Sequence, residues 1–326
     1  MGCVLITGAT GFLGRHVVAR GQKRGIELHT LGCDIANAAH VRNAVSRVRP
    51  EGIIHLAAAG VAYDETDTAS LLRTNALGLA HLLEAAAELP APPPVVCAGS
   101  GFEYASLDRA RRESDPVAPN TPYGASKAAG TAVASVFAAR LPMTVLRLFS
   151  FYGPGEPAER LAPYLIAKAR AGEPADLTAG KQLRDYAEVG DVAEAFWRAL
   201  DQPPTNGKLR LLNVATGKSV TLRDFCEILA TILREAGCAP DLRFGARPYR
   251  PDEMMNYTAD ISLLESTLGW MPATSLEIGL RRMVDSSRRG QDGPVHPSAG
   301  SAPSSPALDG GEVDKPVTMH VPPGLA

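Results

Sequence analysis

The chain has 326 residues and a formal net charge of −2, with 45% hydrophobic and 21% charged residues. This length allows one large domain or two smaller ones, and the composition is that of an ordinary globular protein. The near-neutral charge gives no indication of nucleic acid or an anionic membrane as a partner, although a few local arginines could hold a small anion.

The five cysteines are scattered along the chain and form no Cys-x-x-Cys pair. We therefore expect free thiols in a reducing compartment, and neither a zinc or other metal site nor a set of disulfides. The N-terminus leads directly into an apolar run with no basic segment before it, and no apolar run is long enough to span a bilayer. These features predict a cytoplasmic protein.

The first half of the chain alternates short apolar runs with longer amphipathic stretches. Strands are predicted at residues 4–7, 27–31, 52–56, 94–98 and 143–148. Helices are predicted at residues 13–24, 38–48, 68–88 and 123–140. This alternation predicts an α/β fold with a doubly wound parallel sheet and helices on both faces. Uniformly apolar runs suit strands that are buried on both sides.

The second half of the chain has shorter elements, which are separated by prolines. Helices are predicted at residues 163–171, 191–200, 222–235 and 262–268. The sequence thus divides into a first domain at 1–150, a smaller region at 151–285 and a tail at 286–326. Gly, Pro and Ser dominate the tail and its apolar periodicity is lost, so we expect it to be disordered.

The first predicted strand leads into a turn with the sequence Gly-Ala-Thr-Gly-Phe-Leu-Gly, and a predicted helix follows. Glycines let the backbone approach a pyrophosphate, and the free N–H groups at the helix N-terminus attract its negative charge. Because the turn lies between a strand and a helix, it indicates a dinucleotide site. The turn residues expected at the cofactor are Gly8, Thr10, Gly11, Phe12, Leu13 and Gly14.

The spacing Gly-x-x-Gly-x-x-Gly resembles the extended short-chain dehydrogenase/reductase family, which includes NAD-dependent epimerases and dehydratases. Other motifs follow in that family's order: His55-Leu56-Ala57-Ala58-Ala59, Asn75, Tyr123-Gly124-Ala125-Ser126-Lys127, Leu146-Arg147, Tyr152-Gly153-Pro154, Arg184-Asp185-Tyr186 and Leu268-Gly269-Trp270. The resemblance covers residues 1–285. It implies a Rossmann-type dinucleotide-binding domain at 1–150, to which some later segments return, and a smaller substrate-binding region at 151–285.

The resemblance implies an NAD(P) cofactor with further contacts at Asp34, Ile35, Leu56, Ala57, Ala58, Asn75, Tyr123, Lys127 and Phe149. The second strand is predicted to end near Gly32, where no carboxylate would repel a 2′-phosphate, and Asp34 fits better beside the adenine. Arg15 could contact that phosphate or remain a solvated residue of the first helical turn. We expect NADPH in preference to NADH.

Tyr123 and Lys127 are four residues apart and share one face of a predicted helix. A neighbouring ammonium favours the phenolate, so we expect Lys127 to lower the pKa of Tyr123. By resemblance, Lys127 also holds the nicotinamide ribose, and Ser100 hydrogen-bonds the substrate carbonyl. In the reducing direction Tyr123 would donate the proton while hydride arrives from the nicotinamide. Glu103 is either a second acid or an ordinary loop residue.

Extended members of the family mostly act on nucleotide-linked sugars, and Arg184 and Arg250 match the arginines that hold the substrate diphosphate. They could instead be surface arginines paired with local carboxylates. We expect Ser100, Gly101 and Phe102 to face the substrate. By the same resemblance, sugar 4,6-dehydratases carry Thr-Asp-Glu at these three positions. Neither Gly nor Phe can move a proton, so dehydration is not expected. The family's Asn before Tyr-Gly-Pro is Ser150 here, a further substrate-side position.

The string Gly-Ser-Gly-Phe-Glu-Tyr is most similar to 4-ketoreductases, which reduce nucleotide-linked 4-keto-6-deoxyhexoses in deoxysugar biosynthesis. The alternatives are a 4-epimerase with bound NAD, which uses the same Ser, Tyr and Lys, and a non-catalytic NADP-binding regulatory protein. The alanine-rich helices predicted at 68–88 and 123–140 pair with their copies in family dimers. The resemblance therefore implies a homodimer.

Overall fold

The computed structural model describes residues 2–60, 67–205, 207–251 and 253–289. Its strands are β1 (Cys3–Thr7), β2 (Glu27–Thr30), β3 (Gly52–His55), β4 (Val95–Ser100), β5 (Met143–Leu148), β6 (Ser150–Tyr152), β7 (Pro174–Leu177), β8 (Leu183–Glu188), β9 (Arg210–Val214), β10 (Ser219–Thr221), β11 (Asp241–Phe244) and β12 (Asn256–Tyr257). Its helices are α1 (Phe12–Lys23), α2 (Ala38–Val48), α3 (Thr68–Leu72), α4 (Leu79–Ala87), α5 (Pro122–Phe137), α6 (Leu161–Ala171), α7 (Val189–Asp201), α8 (Leu222–Glu235), α9 (Ser262–Leu268) and α10 (Leu276–Arg289).

Six strands form one sheet in the order β2-β1-β3-β4-β5-β9, and every neighbouring pair is parallel. The predicted parallel α/β sheet is therefore confirmed. The strand order reverses between β1 and β3. In open α/β sheets, ligands bind outside the carboxyl ends of the strands at such a reversal.

Helices cover both faces of this sheet, which explains why its strands are apolar throughout. Val4 and Ile6 of β1 face the layer of α1 and α7, whereas Leu5 faces α2, α4 and α5. The indole N–H of Trp197 in α7 donates to the carbonyl of Val17 in α1 at 3.0 Å. Strand β9, which pairs with β5, and helix α7, which packs on α1, come from the second half of the chain.

The smaller region contains a sheet in which β8 pairs with β6, β10 and β12, and a separate pair of β7 and β11. A second core lies between α6, α8 and α10, with Phe225, Leu229 and Leu280 fully or almost fully buried. Strand β6 follows β5 directly. The carboxyl edge of the central sheet therefore leads straight into the smaller region.

Two sequence predictions need correction. The single helix predicted at 68–88 is two α-helices joined by a π-helical segment at Arg73–Gly78. The sequence predicts a tail that begins at residue 286, but α10 continues to Arg289 because Met283 and Val284 bury its apolar face in the second core. The rest of the predicted tail, residues 290–326, lies outside the described residues.

All five cysteines are free thiols. Pairing of β1 with β2 brings Cys3, Glu27 and His29 together, with possible ligand atoms within 4.8 Å of one another. The spacing in the sequence does not indicate this group. Glu27 and His29 already bind each other, with Oε1 and Nε2 2.9 Å apart. Among the described residues, no helix combines the length and apolar character that a membrane span requires.

Candidate active site

The glycine-rich turn after β1 is folded tightly against the ends of its neighbours. Gly8 has a φ of +69°, and a Cβ there would lie 2.6 Å from the backbone nitrogen of Ala57. A Cβ at Gly14 would lie 2.1 Å from the carbonyl oxygen of Gly8. No side chain caps helix α1 at Gly11, so the first amides of the helix are available to an anion. The turn therefore fits the diphosphate of a dinucleotide.

Thr7 fixes the segment that follows β3 against this turn. Its Oγ1 accepts hydrogen bonds from the N–H groups of Leu56 and Ala57, each at 3.2 Å. The same oxygen lies 2.8 Å from Nδ1 of His55. Burial, with a smaller contribution from the Lys127 ammonium, lowers the pKa of His55 to about 3. The imidazole is therefore neutral at physiological pH.

Asn75 connects the segment after β3 to the helix that contains Tyr123. Its Oδ1 accepts from the N–H of Ala59 at 2.9 Å, and its Nδ2 donates to the Ala59 carbonyl at 3.0 Å and to Oγ of Ser126 at 2.8 Å. Ser126 in turn donates to the carbonyl of Tyr123 at 2.8 Å. Asn75 lies in the π-helical segment, and such segments are frequent at functional sites.

Helix α5 begins in direct contact with the turn after β4. A Cβ at Gly124 would lie 2.3 Å from the carbonyl oxygen of Phe102, so only glycine permits this approach. Thr121 caps the helix by accepting from the N–H of Gly124 at 3.0 Å. The Ser100 hydroxyl is among the groups that lower the pKa of Tyr123, as expected of neighbouring side chains. The structure thus places the predicted serine and tyrosine together.

The relation between Tyr123 and Lys127 differs from the expectation. Burial raises the pKa of Tyr123 to about 12. Hydrogen bonding with Ser100 lowers this pKa, and so does the positive charge of the Arg160 guanidinium. Lys127 acts instead on His55, the last residue of β3, and on Cys97, which pairs with His55 in β4. The prediction that Lys127 lowers the pKa of Tyr123 is therefore wrong for this structure. The physical reason is that Lys127 is buried beside His55 and Cys97 and is not among the groups that act on Tyr123.

An aromatic cluster forms one wall of the site. The ring of Tyr257 stacks on Phe102, with centroids 4.6 Å apart, and packs against Phe149 at 4.9 Å. Phe102 also meets the edge of Tyr123 at 6.2 Å. A Cβ at Gly101 would lie 2.8 Å from Oη of Tyr257 and 3.0 Å from the Phe149 ring. The site therefore leaves little room for a larger residue at position 101.

Sequence reasoning missed Tyr257 and Arg160, and left the role of Glu103 open. Tyr257 belongs to β12, more than a hundred residues from Phe102, and no local pattern identifies it. The Arg160 guanidinium lies 5.3 Å from the ring of Phe151 and its Nε lies 3.1 Å from Oε1 of Glu156. Glu103 is fully buried and paired with Arg147.

The predicted substrate arginines are positioned by their neighbours. Nη2 of Arg184 lies 2.5 Å from Oε1 of Glu253, and its Nη1 donates to the carbonyls of Leu183 and Met254 at 2.9 and 2.6 Å. Arg250 is exposed, and its carbonyl accepts from the N–H of Glu253 at 3.1 Å. Glu253 therefore pairs with the Arg184 guanidinium through its carboxylate and with the Arg250 backbone through its N–H. Their role on a diphosphate stays a prediction.

Other predicted residues lie around this centre. Arg15 donates to the carbonyl of Gly155 at 2.9 Å, which ties α1 to the smaller region. Asp34 is exposed and accepts from the N–H of Ala36 at 2.9 Å, while Ile35 is buried. Ser150 begins β6, where it pairs with Tyr186. The contacts of these residues with cofactor or substrate also stay predictions.

The chain belongs to the NAD dependent epimerase/dehydratase family, whose sequence profile matches residues 4–215. The resemblance that the motifs indicate is therefore confirmed. The match includes β1 through β9 and thus every strand of the central sheet.

Named relatives are similar over most of the chain. A dTDP-glucose 4,6-dehydratase from Neisseria gonorrhoeae is 28% identical in an alignment of 331 positions, including gaps, which covers 86% of this chain and 94% of that protein. A dTDP-6-deoxy-L-talose 4-dehydrogenase (NAD(P)(+)) from Kitasatospora kifunensis is 28% identical over 310 residues, with the same coverage of 86% and 94%.

A solved structure agrees with the fold. MoeE5 in complex with UDP-glucose and NAD superposes with a TM-score of 0.78 and is 29% identical, covering 89% of this chain and 100% of that protein. Relatives of this chain thus include proteins that hold a nucleotide sugar together with NAD.

The replacement Asn75→Leu tests the link between the two halves of the site. It leaves the Ala59 N–H and carbonyl without their partner, and each buried polar group left unpaired costs about 1–3 kcal/mol. We expect the free energy of unfolding, measured in urea, to fall by at least that amount. Ser135→Ala on the exposed side of α5 is the control, and an equal effect of both variants would contradict this role of Asn75.

Proposed function

We propose that this chain reduces the 4-keto group of a nucleotide-linked 4-keto-6-deoxyhexose in deoxysugar biosynthesis, using NADPH or NADH. The observation that carries the proposal is the site at Ser100 and Tyr123, in which positions 101 and 102 carry no acid or base. The similarity to a dTDP-6-deoxy-L-talose 4-dehydrogenase supports redox chemistry at the 4-position of a dTDP-linked sugar.

Each catalytic residue has a defined part in this reaction. When bound, the nicotinamide supplies the hydride. Ser100 hydrogen-bonds the ketone oxygen, and Tyr123 donates the proton that the developing alkoxide requires. Because the pKa of Tyr123 is raised to about 12, the phenol holds its proton at neutral pH and is a donor. Lys127 binds the nicotinamide ribose through its buried ammonium.

Substrate and cofactor occupy neighbouring parts of the cleft in this proposal. The turn from Gly8 to Gly14 binds the cofactor diphosphate, and the strand end near Gly32 accommodates the phosphate of NADPH. Arg184, which Glu253 orients, and Arg250 hold the diphosphate of the nucleotide sugar. Ser150 and the aromatic wall around Tyr257 contact the sugar.

The tyrosine carries the clearest test. Tyr123→Phe removes the proton donor but preserves the ring, so we expect kcat to fall by about 10²–10⁴-fold. The assay follows oxidation of NADPH, or separately NADH, with dTDP-4-keto-6-deoxyglucose generated in place by a dehydratase. Tyr164→Phe, on helix α6, is the matched control and should remain active.

Two results would overturn the reductase assignment. A wild-type protein that oxidises neither cofactor but retains NAD through purification would be a 4-epimerase, to be assayed with unreduced nucleotide sugars. A Tyr123→Phe protein that keeps its full biological activity would point to a non-catalytic NADP-binding protein.

Position 101 separates reduction from dehydration. We expect Gly101→Asp, which introduces the acid of the dehydratase pattern, to lower the thermal unfolding temperature because its Cβ meets Tyr257 and Phe149. Gly101→Ala adds the same Cβ without the carboxylate and is the control for thermal unfolding.

The absence of dehydration is tested separately. Mass spectrometry of dTDP-glucose incubated with each protein should show no loss of water. Dehydration by the wild-type protein would contradict the proposal.

We also propose that the protein is a homodimer. Helix α3, the π-helical segment and helix α5 expose Leu72, Leu77 and Val136, which are 41%, 50% and 73% accessible. Leu72 and Leu77 line an apolar groove together with Val133 and the small residues Ala69, Ala76 and Ala80. A continuous apolar patch of this kind is typical of an interface, and the family resemblance assigns these helices to the dimer.

The dimer is tested by charge substitutions on this face. We expect sedimentation of the wild-type protein to give twice the chain mass of 34.3 kDa, and Leu77→Glu with Val136→Glu to give the single mass. Leu263→Glu on α9 changes an equally exposed leucine elsewhere and should remain dimeric. A wild-type protein that sediments as a single chain would contradict the proposal.

A further inference from the structure

A buried ion pair lies directly beneath Ser100. Glu103 and Arg147 are 0% and 1% accessible, and Nε of the arginine lies 2.9 Å from Oε2 of the glutamate. Glu103 belongs to the turn after β4, and Arg147 belongs to the neighbouring strand β5. The pair therefore joins the turn that presents Ser100 to the middle of the central sheet.

The other oxygen of Glu103 holds Ser100 itself. The N–H of Ser100 donates to Oε1 at 2.8 Å, and Oγ of Ser100 accepts from the N–H of Phe102 at 3.2 Å. A Cβ at Gly99 would lie 2.8 Å from the same Oε1, so glycine there leaves the room that the carboxylate occupies. One carboxylate thus fixes both the backbone of Ser100 and the Arg147 guanidinium.

Stability alone does not explain this pair. Burying two charges costs about as much as their attraction returns, and an apolar pair of similar volume commonly serves a core as well or better. Arg147 also lies over the ring of Tyr104, 4.4 Å from its centroid, and its Nη1 has no hydrogen-bond partner among the described residues. Since an apolar pair could fill this part of the core, the charges of Glu103 and Arg147 are better explained by a function at the neighbouring site.

Glu103 also acts on the two groups that perform the chemistry. Burial lowers the pKa of Lys127, whereas Glu103 and, to a lesser degree, Cys97 raise it. His55 and Cys97 face Lys127 from β3 and β4, and burial keeps both neutral by moving their pKa values to about 3 and about 12. The carboxylate of Glu103 is therefore the negative charge near this ammonium within the described part of the chain.

Tyr123 is affected in the same direction. Apart from burial, its pKa is raised by Glu103 and lowered by Ser100 and Arg160. The charge of Glu103 thus helps both Lys127 and Tyr123 to retain their protons. A proton donor and a ribose-binding ammonium must both be protonated for the proposed reaction.

We propose that Glu103 is a positioning residue of the active site, which fixes Ser100 against the substrate carbonyl through its hydrogen bond with the Ser100 N–H and its ion pair with Arg147. This inference rests on the proposed function, because it takes Ser100, Tyr123 and Lys127 as the acting groups. Glu103 touches neither cofactor nor substrate in this role. It acts through Ser100 by a hydrogen bond and through Lys127 by its charge.

The test is the pH dependence of Glu103→Gln, which keeps an acceptor for the Ser100 N–H and removes the charge. Because that variant leaves Arg147 buried without a partner, Glu103→Gln/Arg147→Met is made beside it as a neutral pair. We expect the basic limb of the kcat profile to move to lower pH in both, and kcat to fall roughly 10- to 100-fold with KM nearly unchanged.

Cofactor affinity provides a second readout that needs no substrate. Fluorescence titration with NADPH at increasing pH should show that affinity is lost at lower pH in the double variant than in the wild type. A wild-type protein without reductase activity would therefore defeat the proposed function but leave this measurement intact.

Glu113→Gln is the control, since Glu113 is a partly buried carboxyl group that also accepts a backbone hydrogen bond, from the N–H of Asn213 at 2.7 Å, but is not among the groups that act on Lys127 or Tyr123. We expect this variant to lose stability without a change in either pH profile. The inference is overturned if the double variant keeps the wild-type profiles, or if Glu113→Gln shifts them equally.

Discussion

The close contact between helix α5 and the turn after β4 is the constraint on which the site depends. A Cβ at Gly124 would lie 2.3 Å from the carbonyl oxygen of Phe102. Helix α5 can begin this close to the turn only because residue 124 is glycine. The contact aligns Tyr123 with Ser100, and Asn75 then ties the same helix to the cofactor side through Ser126 and Ala59. The serine, the tyrosine and the segment after β3 are therefore held by the close backbone approach at Gly124 together with the side-chain hydrogen bonds of Asn75.

This arrangement has an electrostatic consequence. Lys127 is buried beside His55 of β3 and Cys97 of β4, where burial disfavours its charge. The negative charge of Glu103 offsets this effect of burial on Lys127. The cost of burying Glu103 is offset in turn by its ion pair with Arg147. The protonation of the lysine, the position of the serine and a buried ion pair in the core are thus parts of one arrangement.

The sequence predicts the central sheet and the motif residues because both depend on local patterns. Uniformly apolar strands, the glycine turn and the spacing of Tyr123 and Lys127 are all readable within short windows. The approach of Tyr257 to Phe102 is not, because β12 and β4 meet only through the packing of the smaller region. Glu103 was ambiguous for the same reason, since its role depends on a partner in β5. The expectation that Lys127 lowers the pKa of Tyr123 is wrong because helical spacing places two residues on one face without fixing where a long side chain extends.

Hydride transfer to the 4-position of a nucleotide sugar is the central claim, and isotope transfer tests it most directly. NADPH that carries deuterium on the transferred position of the nicotinamide is incubated with dTDP-4-keto-6-deoxyglucose and the purified protein, and the sugar is analysed by NMR. The account predicts one deuterium at C4 of the product and stoichiometric consumption of the cofactor. A product without deuterium, formed while the added cofactor stays reduced, would contradict it.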